Sequence, residues 1–319
     1  MPTPSPESQS AHPRSGRIVA VVVTFNRLDL LRGLMERLRR TPGLAEIVVV
    51  DNASTDGTGE WLASAVVGPG SVPVHGVTLA DNRGGAGGFH EGMRIGLEHD
   101  AELLWLMDDD GMPDDDCLAR LLEHRSDLDF WGPVVVDKDD PERLVFPIRL
   151  PGGTKVVHAM ADVRRAATGG RIDDIVIPFN GVLVTRGLAE RIGLPRAEFF
   201  IWGDDHEFRL RAEEAGARIA TVVDATVRHP SVGSLGTPMM FGRTTYNHSP
   251  SDLKHYCMAR NNVVNLRTYR GLPHVAAFVA KTVWFYAFTR PSLSRLGLSA
   301  RGIVAGLRND FTGHGRFLA

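Results

Sequence analysis

Leu103-Leu104-Trp105-Leu106-Met107-Asp108-Asp109-Asp110-Gly111 is the stretch on which the fold of this 319-residue chain turns. Five apolar residues in a row match a strand buried on both faces. Three carboxylates follow where that strand would leave the core, and open α/β sheets bind ligands beyond the carboxyl ends of their strands. Adjacent acidic side chains repel one another, and a divalent cation is the usual compensation. In an extended chain Asp108 and Asp110 fall on the same side, so both are expected to face one ion or ligand. A hard cation held by carboxylates commonly serves a phosphate-bearing substrate. An isolated acidic run is more often a solvated turn, so the weight rests on the sequence around it.

Upstream, residues 18–23 form a β-branched run that ends in Thr24-Phe25-Asn26-Arg27. Leu28, Leu31, Leu34, Met35 and Leu38 then recur at helical spacing, with Asn26 expected as the N-cap. A second run at 47–50 ends in Asp51-Asn52-Ala53-Ser54-Thr55-Asp56-Gly57, and a third candidate covers 77–79. Short runs alternating with helical patterns predict an α/β fold with a parallel sheet. Thr24, Asp51, Asn82 and Asp108 then share one edge, where a nucleotide crevice is expected. Asn82-Arg83-Gly84-Gly85-Ala86-Gly87-Gly88-Phe89 opens a helix predicted to reach Glu98. Its glycines permit close backbone approach, and a helix N-terminus offers free N–H groups to an anion. The first strand–helix turn has no glycine, so it is not a dinucleotide fingerprint.

Downstream, residues 130–136, 179–184 and 218–223 are further strand candidates. Phe199-Phe200-Ile201-Trp202 leads into Gly203-Asp204-Asp205-His206-Glu207, an apolar run followed by a helix start with carboxylates in its first turn. His229 stands before Pro230, a setting in which a lone histidine is ordinarily structural. Apolar and charged fractions of 43% and 23% are those of a soluble globular chain. Cys117 and Cys257 are too few for a disulfide framework or a zinc site, which fits a reducing compartment. Residues 1–16, rich in Pro and Ser, read as a disordered lead-in rather than a signal peptide. No stretch reaches the roughly 20 apolar residues of a membrane span.

Charge is unevenly placed. After Ser251 ten basic residues face two acidic ones, although the whole chain carries −2. Residues 275–288 are almost wholly apolar and aromatic, broken by Lys281, and Leu296, Ile303, Val304 and Leu307 lie among Arg295, Arg301 and Arg308. Two readings fit: an interfacial helix pair on a membrane, or a helical hairpin packed on the core. On the first, Phe278, Trp284, Phe285 and Phe288 enter the headgroup boundary. Aromatics beside the charges favour a membrane surface and no nucleic acid.

The order of these motifs resembles family 2 glycosyltransferases of the GT-A fold, over roughly residues 18–233. The residues that carry it are Thr24-Phe25-Asn26-Arg27, Asp51 to Gly57, the glycine turn, the Asp108 triplet, Phe179-Asn180-Gly181, Trp202 to Asp205, and His229. The glycine turn, Arg143-Leu144-Val145-Phe146-Pro147 and residues 256–261 are similar to the actinobacterial galactofuranosyltransferases that start the cell-wall galactan. The resemblance implies a Rossmann-like, mostly parallel GT-A sheet over 17–250 and a C-terminal helical region over 251–319 that faces membrane and acceptor. It implies inverting, metal-dependent transfer from UDP-galactofuranose to a polyprenyl-diphosphate-linked GlcNAc-rhamnose acceptor. Such an enzyme works in the cytoplasm, peripherally on the inner face of the cell membrane.

The same resemblance assigns residues. Thr24, Asn26, Arg27, Asp51 and Asn52 belong to the donor's nucleoside, with Asp51 accepting from the uracil N–H. Arg83, Gly84, Gly85, Asp109 and Asn180 fall on the donor side. Asp108 touches ribose or metal, while Asp110 and His229 ligate Mn²⁺ or Mg²⁺. Asp205 corresponds to the catalytic base, and Asp204 and Glu207 bind sugar hydroxyls. Trp202 offers a stacking face. Tyr256, Arg260 and Asn261 fall near the acceptor diphosphate, which suits an Arg fork. Asp204-Asp205 stands where many relatives have Glu-Asp or Asp-Glu, so their division of labour stays open, and the loop after His229 matches no motif. A dTDP-rhamnose donor would use the same frame. An aspartyl-phosphate phosphatase is disfavoured because three strand candidates precede the acidic motif. A nucleotide-sugar sensor without turnover is disfavoured by Asp205 and His229. Self-association is left open.

Overall fold

The structure, a computed structural model, describes residues 16–64, 72–233 and 236–318. The expected lead-in therefore lies outside the described residues, Gly16 excepted. Four strands open the chain: β1 (Ile18–Thr24), β2 (Glu46–Asp51), β3 (Val74–Thr78) and β4 (Leu103–Asp108). They alternate with α1 (Leu28–Arg39), α2 (Thr58–Ser64) and α3 (Gly84–Glu98). All four strands are parallel, in the order β3-β2-β1-β4. Their apolar runs are continuous because helices cover both faces. Ala20 and Val22 pack with Leu31, Leu34, Met35 and Leu38 of α1, whereas Val19, Val21 and Val23 pack with Phe89 and Met93 of α3.

Asn26 does not cap α1 as expected. It adopts a left-handed φ of 53°, and its side-chain oxygen accepts the Thr55 amide at 2.7 Å. The cap comes instead from the loop after β2, where the Asp56 carboxylate accepts the Leu28 N–H at 2.9 Å. Asn tolerates that backbone region better than most residues, and the exchange ties the first two loops of the carboxyl edge together.

The sheet continues through β5 (Met112–Pro113), β6 (Phe130–Asp137), β7 (Arg143–Arg149), β8 (Val156–Ala159), β9 (Arg171–Asp173), β10 (Asn180–Thr185) and β11 (Ile219–His229). Between them lie α4 (Cys117–Leu122), α5 (Met160–Ala166), α6 (Arg186–Ile192) and α7 (Asp204–Glu214). β10 inserts antiparallel between β4 and β6, while β11 runs parallel to β6, giving a mostly parallel eleven-stranded sheet. The segment after His229 forms a hairpin, β12 (Thr237–Met239) and β13 (Thr244–Tyr246). Three helices close the chain: α8 (Asp252–Tyr269), α9 (Leu272–Trp284), which continues into a π turn at Phe285–Thr289, and α10 (Leu293–Arg308).

Three glycines seat α3 on the sheet. A Cβ on Gly92 would lie 2.3 Å from Val21 Cγ1, and one on Gly88 would lie 2.4 Å from Val23 Cγ1. Gly96 is equally tight against Leu104. Overpacking of this kind costs about 1–3 kcal/mol. These glycines therefore serve helix–sheet contact, whereas a Cβ on Gly85 would meet nothing within 4 Å.

Candidate active site

The carboxyl ends of β4 and β11 and the start of α7 converge on a cavity of about 630 Å³ lined by Asp108, Asn180, Trp202, Asp204 and Asp205, among others. The Asp108 triplet does not continue as an extended strand. The chain turns at Asp109, and the three carboxylates go separate ways. Asp109 is buried, accepting from the Thr24 hydroxyl at 2.7 Å and from Arg27 at 3.1 Å. Thr24 and Asp109 thus brace the turn, the hydroxyl and one carboxylate oxygen being committed to each other. Asp110 accepts from Arg27 at 2.5 Å and faces His229 Nε2 at 3.1 Å.

The His229 ring carries a clue to a cation. Its Nδ1 lies 2.7 Å from the Pro230 carbonyl, so Nδ1 holds the hydrogen and Nε2 turns its lone pair toward Asp110. Two acceptors at hydrogen-bond distance require a proton or a metal ion between them. Burial opposes protonation of His229 and the Asp110 carboxylate favours it, with a net upward shift. Asp108 is pushed well above the usual carboxylate range by burial and by Asp110, Asp109 and Asp204. A mixed imidazole–carboxylate set with surplus negative charge fits a divalent metal ion.

Asp204 and Asp205 open α7, next to a backbone turn that few residues adopt. Phe200, Trp202 and Gly203 have φ of 64°, 67° and 86°. Left-handed non-glycine residues cost of order 1–3 kcal/mol each and persist only when neighbours over-determine them. Here α8 does so. The Asn261 amide donates to the carbonyls of Phe199, Ile201 and Trp202 at 3.0, 3.1 and 2.6 Å. Arg260, wholly buried, donates to Phe199 at 2.8 Å and to Phe311 at 3.1 Å. Asn265 holds the Gly203 carbonyl at 2.9 Å. The glycine turn leans on the same loop, since Ala86 N–H donates to the Phe200 carbonyl at 3.1 Å and a Cβ on Gly84 would sit 2.0 Å from that oxygen.

This geometry corrects four acceptor assignments. Arg260 and Asn261 hold the loop before Asp204 and present no free donors to a diphosphate. Tyr256 is buried against Phe200 and borders a second cavity of about 370 Å³ rather than the first. Glu207 is likewise committed, accepting Tyr269 O–H at 2.7 Å and Arg211 at 2.9 Å, so it reaches no sugar hydroxyl. On the donor side, Asn52 is spent on the glycine turn, donating to the Gly84 carbonyl at 3.1 Å, and Asn26 on Thr55. Arg27 reaches Asp109 and Asp110 through Nη1. Arg83 is exposed at the N-terminus of α3, and Gly85 borders the cavity. Asp51 stands apart: Oδ1 accepts Ser54 N–H at 3.0 Å, while buried Oδ2 has no partner. An orphaned carboxylate oxygen is costly unless a ligand donates to it.

Sequence reasoning missed Phe146, Asn247, His248 and Lys254, which also line the cavity. Their segments carry no acidic or glycine motif; Phe146 had a signal only in its family-like neighbours.

Burial first, then Asp205 and Glu207, pushes Asp204 up to about 8; burial also raises Asp205. A carboxyl with a raised folded pKa holds a proton that the unfolded chain has released. Metal-free stability should therefore fall as pH rises from about 4 to about 8. Asp204→Asn should flatten that slope, with a melting temperature that matches the wild type near pH 4 and exceeds it at pH 8. Parallel melting curves across that range would refute the shift.

The model of the glycosyl transferase family 2 matches residues 19–166. Galactofuranosyltransferase GlfT1 of Mycobacterium tuberculosis (strain ATCC 25618 / H37Rv) is 32% identical over 279 residues, covering 86% of this chain and 90% of that protein. The chain belongs to glycosyltransferase family 2. This family 2 enzyme is also 37% identical over 213 residues to the undecaprenyl-phosphate mannosyltransferase of Micrococcus luteus, covering 65% and 82%. A crystal structure of GalNAc-T7 with UDP, GalNAc and Mn²⁺ is similar with a TM-score of 0.61, at 15% identity. It covers 96% of this chain and 59% of that one, and shows the shared GT-A fold. The glycosyltransferase is thus a GT-A enzyme, as its motifs implied.

Proposed function

We propose that this glycosyltransferase moves galactofuranose from UDP-galactofuranose to a polyprenyl-diphosphate-linked GlcNAc-rhamnose acceptor in cell-wall galactan synthesis, with inversion. The 32% identity to a galactofuranosyltransferase over nearly the whole chain carries the donor assignment. Asp51 Oδ2 would accept the uracil N–H, and Arg83 and the α3 N-terminus would face the pyrophosphate. Asp205 takes the proton from an acceptor hydroxyl while that oxygen bonds to the anomeric carbon and the bond to UDP breaks. One base and one displacement invert the centre and need no enzyme nucleophile. Asp204, largely protonated at neutral pH, donates a hydrogen bond to a sugar oxygen. Asp108, Asp110 and His229 would hold Mn²⁺ or Mg²⁺, which when bound neutralises charge on the departing diphosphate.

A donor screen tests this reading. Purified protein, Mn²⁺ and a synthetic GlcNAc-rhamnose acceptor are offered UDP-galactofuranose, dTDP-rhamnose or GDP-mannose, with and without chelator. Turnover with UDP-galactofuranose alone, lost with chelator, is expected. Preference for dTDP-rhamnose would replace the donor, and UDP binding without any turnover would make the protein a sensor.

The membrane half of the proposal rests on α9. Its outward face carries Pro273, Ala276, Ala277, Ala280, Val283, Trp284, Ala287 and Phe288, all exposed. Phe285 is the exception to the expected set: it is fully buried with Tyr246 and Tyr286, and Phe278 packs beside them. Arg301, Arg308 and Arg316 line the smaller cavity beside α10, suited to anionic headgroups. Not every cation contributes, since Arg260 is buried and Arg295 pairs with Asp252. No helix among the described residues is long and apolar enough to cross a membrane, and interfacial attachment needs none. Trp284→Ser with Phe288→Ser should lower flotation with anionic vesicles about tenfold or more while sparing transfer to a short soluble acceptor. Unchanged flotation would return α9 to a packed hairpin.

A further inference from the structure

Among the described residues, Glu46, His75 and His99 are the one cluster that places a carboxylate and two imidazoles together away from the catalytic cavity. It lies at the amino edge of the sheet. Glu46 opens β2 and Asp51 ends it, so about 17 Å of strand separate the cluster from the carboxyl edge. Register brings two of the three together. Val48 pairs with His75 on β3, and Glu46, two residues before Val48, projects from the same face. That face is covered by α3, and His99 is the residue that caps its C-terminus.

One donor atom from each side chain lies within 4.8 Å of the other two. Glu46 is buried; Arg17 holds its Oε2 at 2.6 Å, and its Oε1 lies 2.9 Å from His99 Nδ1. The His75 and His99 rings meet edge-on with centroids 4.9 Å apart.

We propose that Glu46, His75 and His99 form a second metal site, for a zinc-class divalent ion, with water at its open position. Two imidazoles and one carboxylate are a borderline donor set that selects Zn²⁺ over Mg²⁺ or Ca²⁺. Zinc–ligand bonds of about 2.0–2.2 Å bring tetrahedral donors closer than they stand here. The exposed His75 side chain supplies that movement by rotating about its own χ angles, while the strand beneath stays fixed. Arg17 acts as the outer partner that orients the carboxylate, leaving Oε1 for the ion. Two ligands come from strands and one from a helix end, so the frame is rigid before binding. An ion here touches no reacting atom. It would fasten β2, β3 and the end of α3 to one another.

The test uses the full chain carrying Asp110→Ala and His229→Ala, which removes the acidic centre as a competing site. Zinc is titrated by calorimetry, and the melting temperature is followed with and without zinc. One equivalent should bind and raise the melting temperature. His75→Ala and His99→Ala should each weaken affinity tenfold or more, and His75→Cys, which supplies a zinc-competent thiolate, should restore it. His75 is exposed, so its variants should fold, and circular dichroism checks that they do. No zinc binding, or equal affinity after His75→Ala, would leave only an ordinary ion pair and overturn the proposal.

Discussion

Asp205→Asn should keep UDP affinity within about twofold while kcat falls by about 10²–10⁴-fold, because the side chain keeps its size and loses its basicity. Burial raises the Asp205 carboxyl, so the acid limb of the wild-type rate should lie above the ordinary carboxylate range, with activity lost as pH falls through it. Single-turnover rates with saturating donor, followed across pH, read both effects. The Asn variant should show only residual rate and no such limb. Asp204→Asn, by contrast, should lose acceptor affinity more than rate. An inactive Asp204→Asn beside an active Asp205→Asn would exchange the two roles.

Arg260→Leu should be the most damaging change outside the cavity. It removes the donor to the Asn261 side-chain oxygen and the guanidinium bonds to the Phe199 and Phe311 carbonyls from a largely buried site, at a cost on the order of 3 kcal/mol or more. Arg260→Lys should rescue little, since an ammonium cannot span carbonyls that a planar fork reaches. Denaturant unfolding gives the stability, and UDP binding to the folded fraction separates that loss from chemistry. Because Arg260 also sets the loop before Asp205, kcat should fall even where the protein remains folded. Full activity in folded Arg260→Lys would show that the loop keeps its shape unaided.

Much of this was legible in residues 103–111 and their counterparts. Apolar runs that end in Thr24, Asp51 and Asp108 announce parallel strands whose polar ends share an edge, since each run must be buried on both faces. Periodicity also located α1 and α3. What it could not carry was direction. Asp109 and Asp110 are neighbours in the chain, yet one turns to Thr24 and the other to His229, a choice made by the turn after β4. Tyr256, Arg260, Asn261 and Glu207 look like ligands for sugar or phosphate because the family resemblance places them beside the substrates. Arg260 and Asn261 are spent on backbone carbonyls, Glu207 on Tyr269 and Arg211, and Tyr256 packs against Phe200, facts that require α7 and α8 to be seen side by side. Trp284 and Phe285 illustrate the same point: adjacent aromatics on one helix, one outside and one in the core, separated by 100° of rotation that the apolar run alone did not resolve.

The contact of Gly84 with the Phe200 carbonyl reaches beyond packing. It joins the turn proposed to face the donor to the loop before Asp205, the proposed base, so the two cannot be altered independently. A laboratory selection for a new sugar donor that enlarges the side chain at 84 would displace the Phe200 backbone, and its first symptom would be a defect in acceptor use. Suppressors of that defect would arise in the loop or on α8, far from the donor in sequence. Under the proposed roles, evolvability at this site is pairwise: donor preference and acceptor handling would be inherited together through one backbone oxygen.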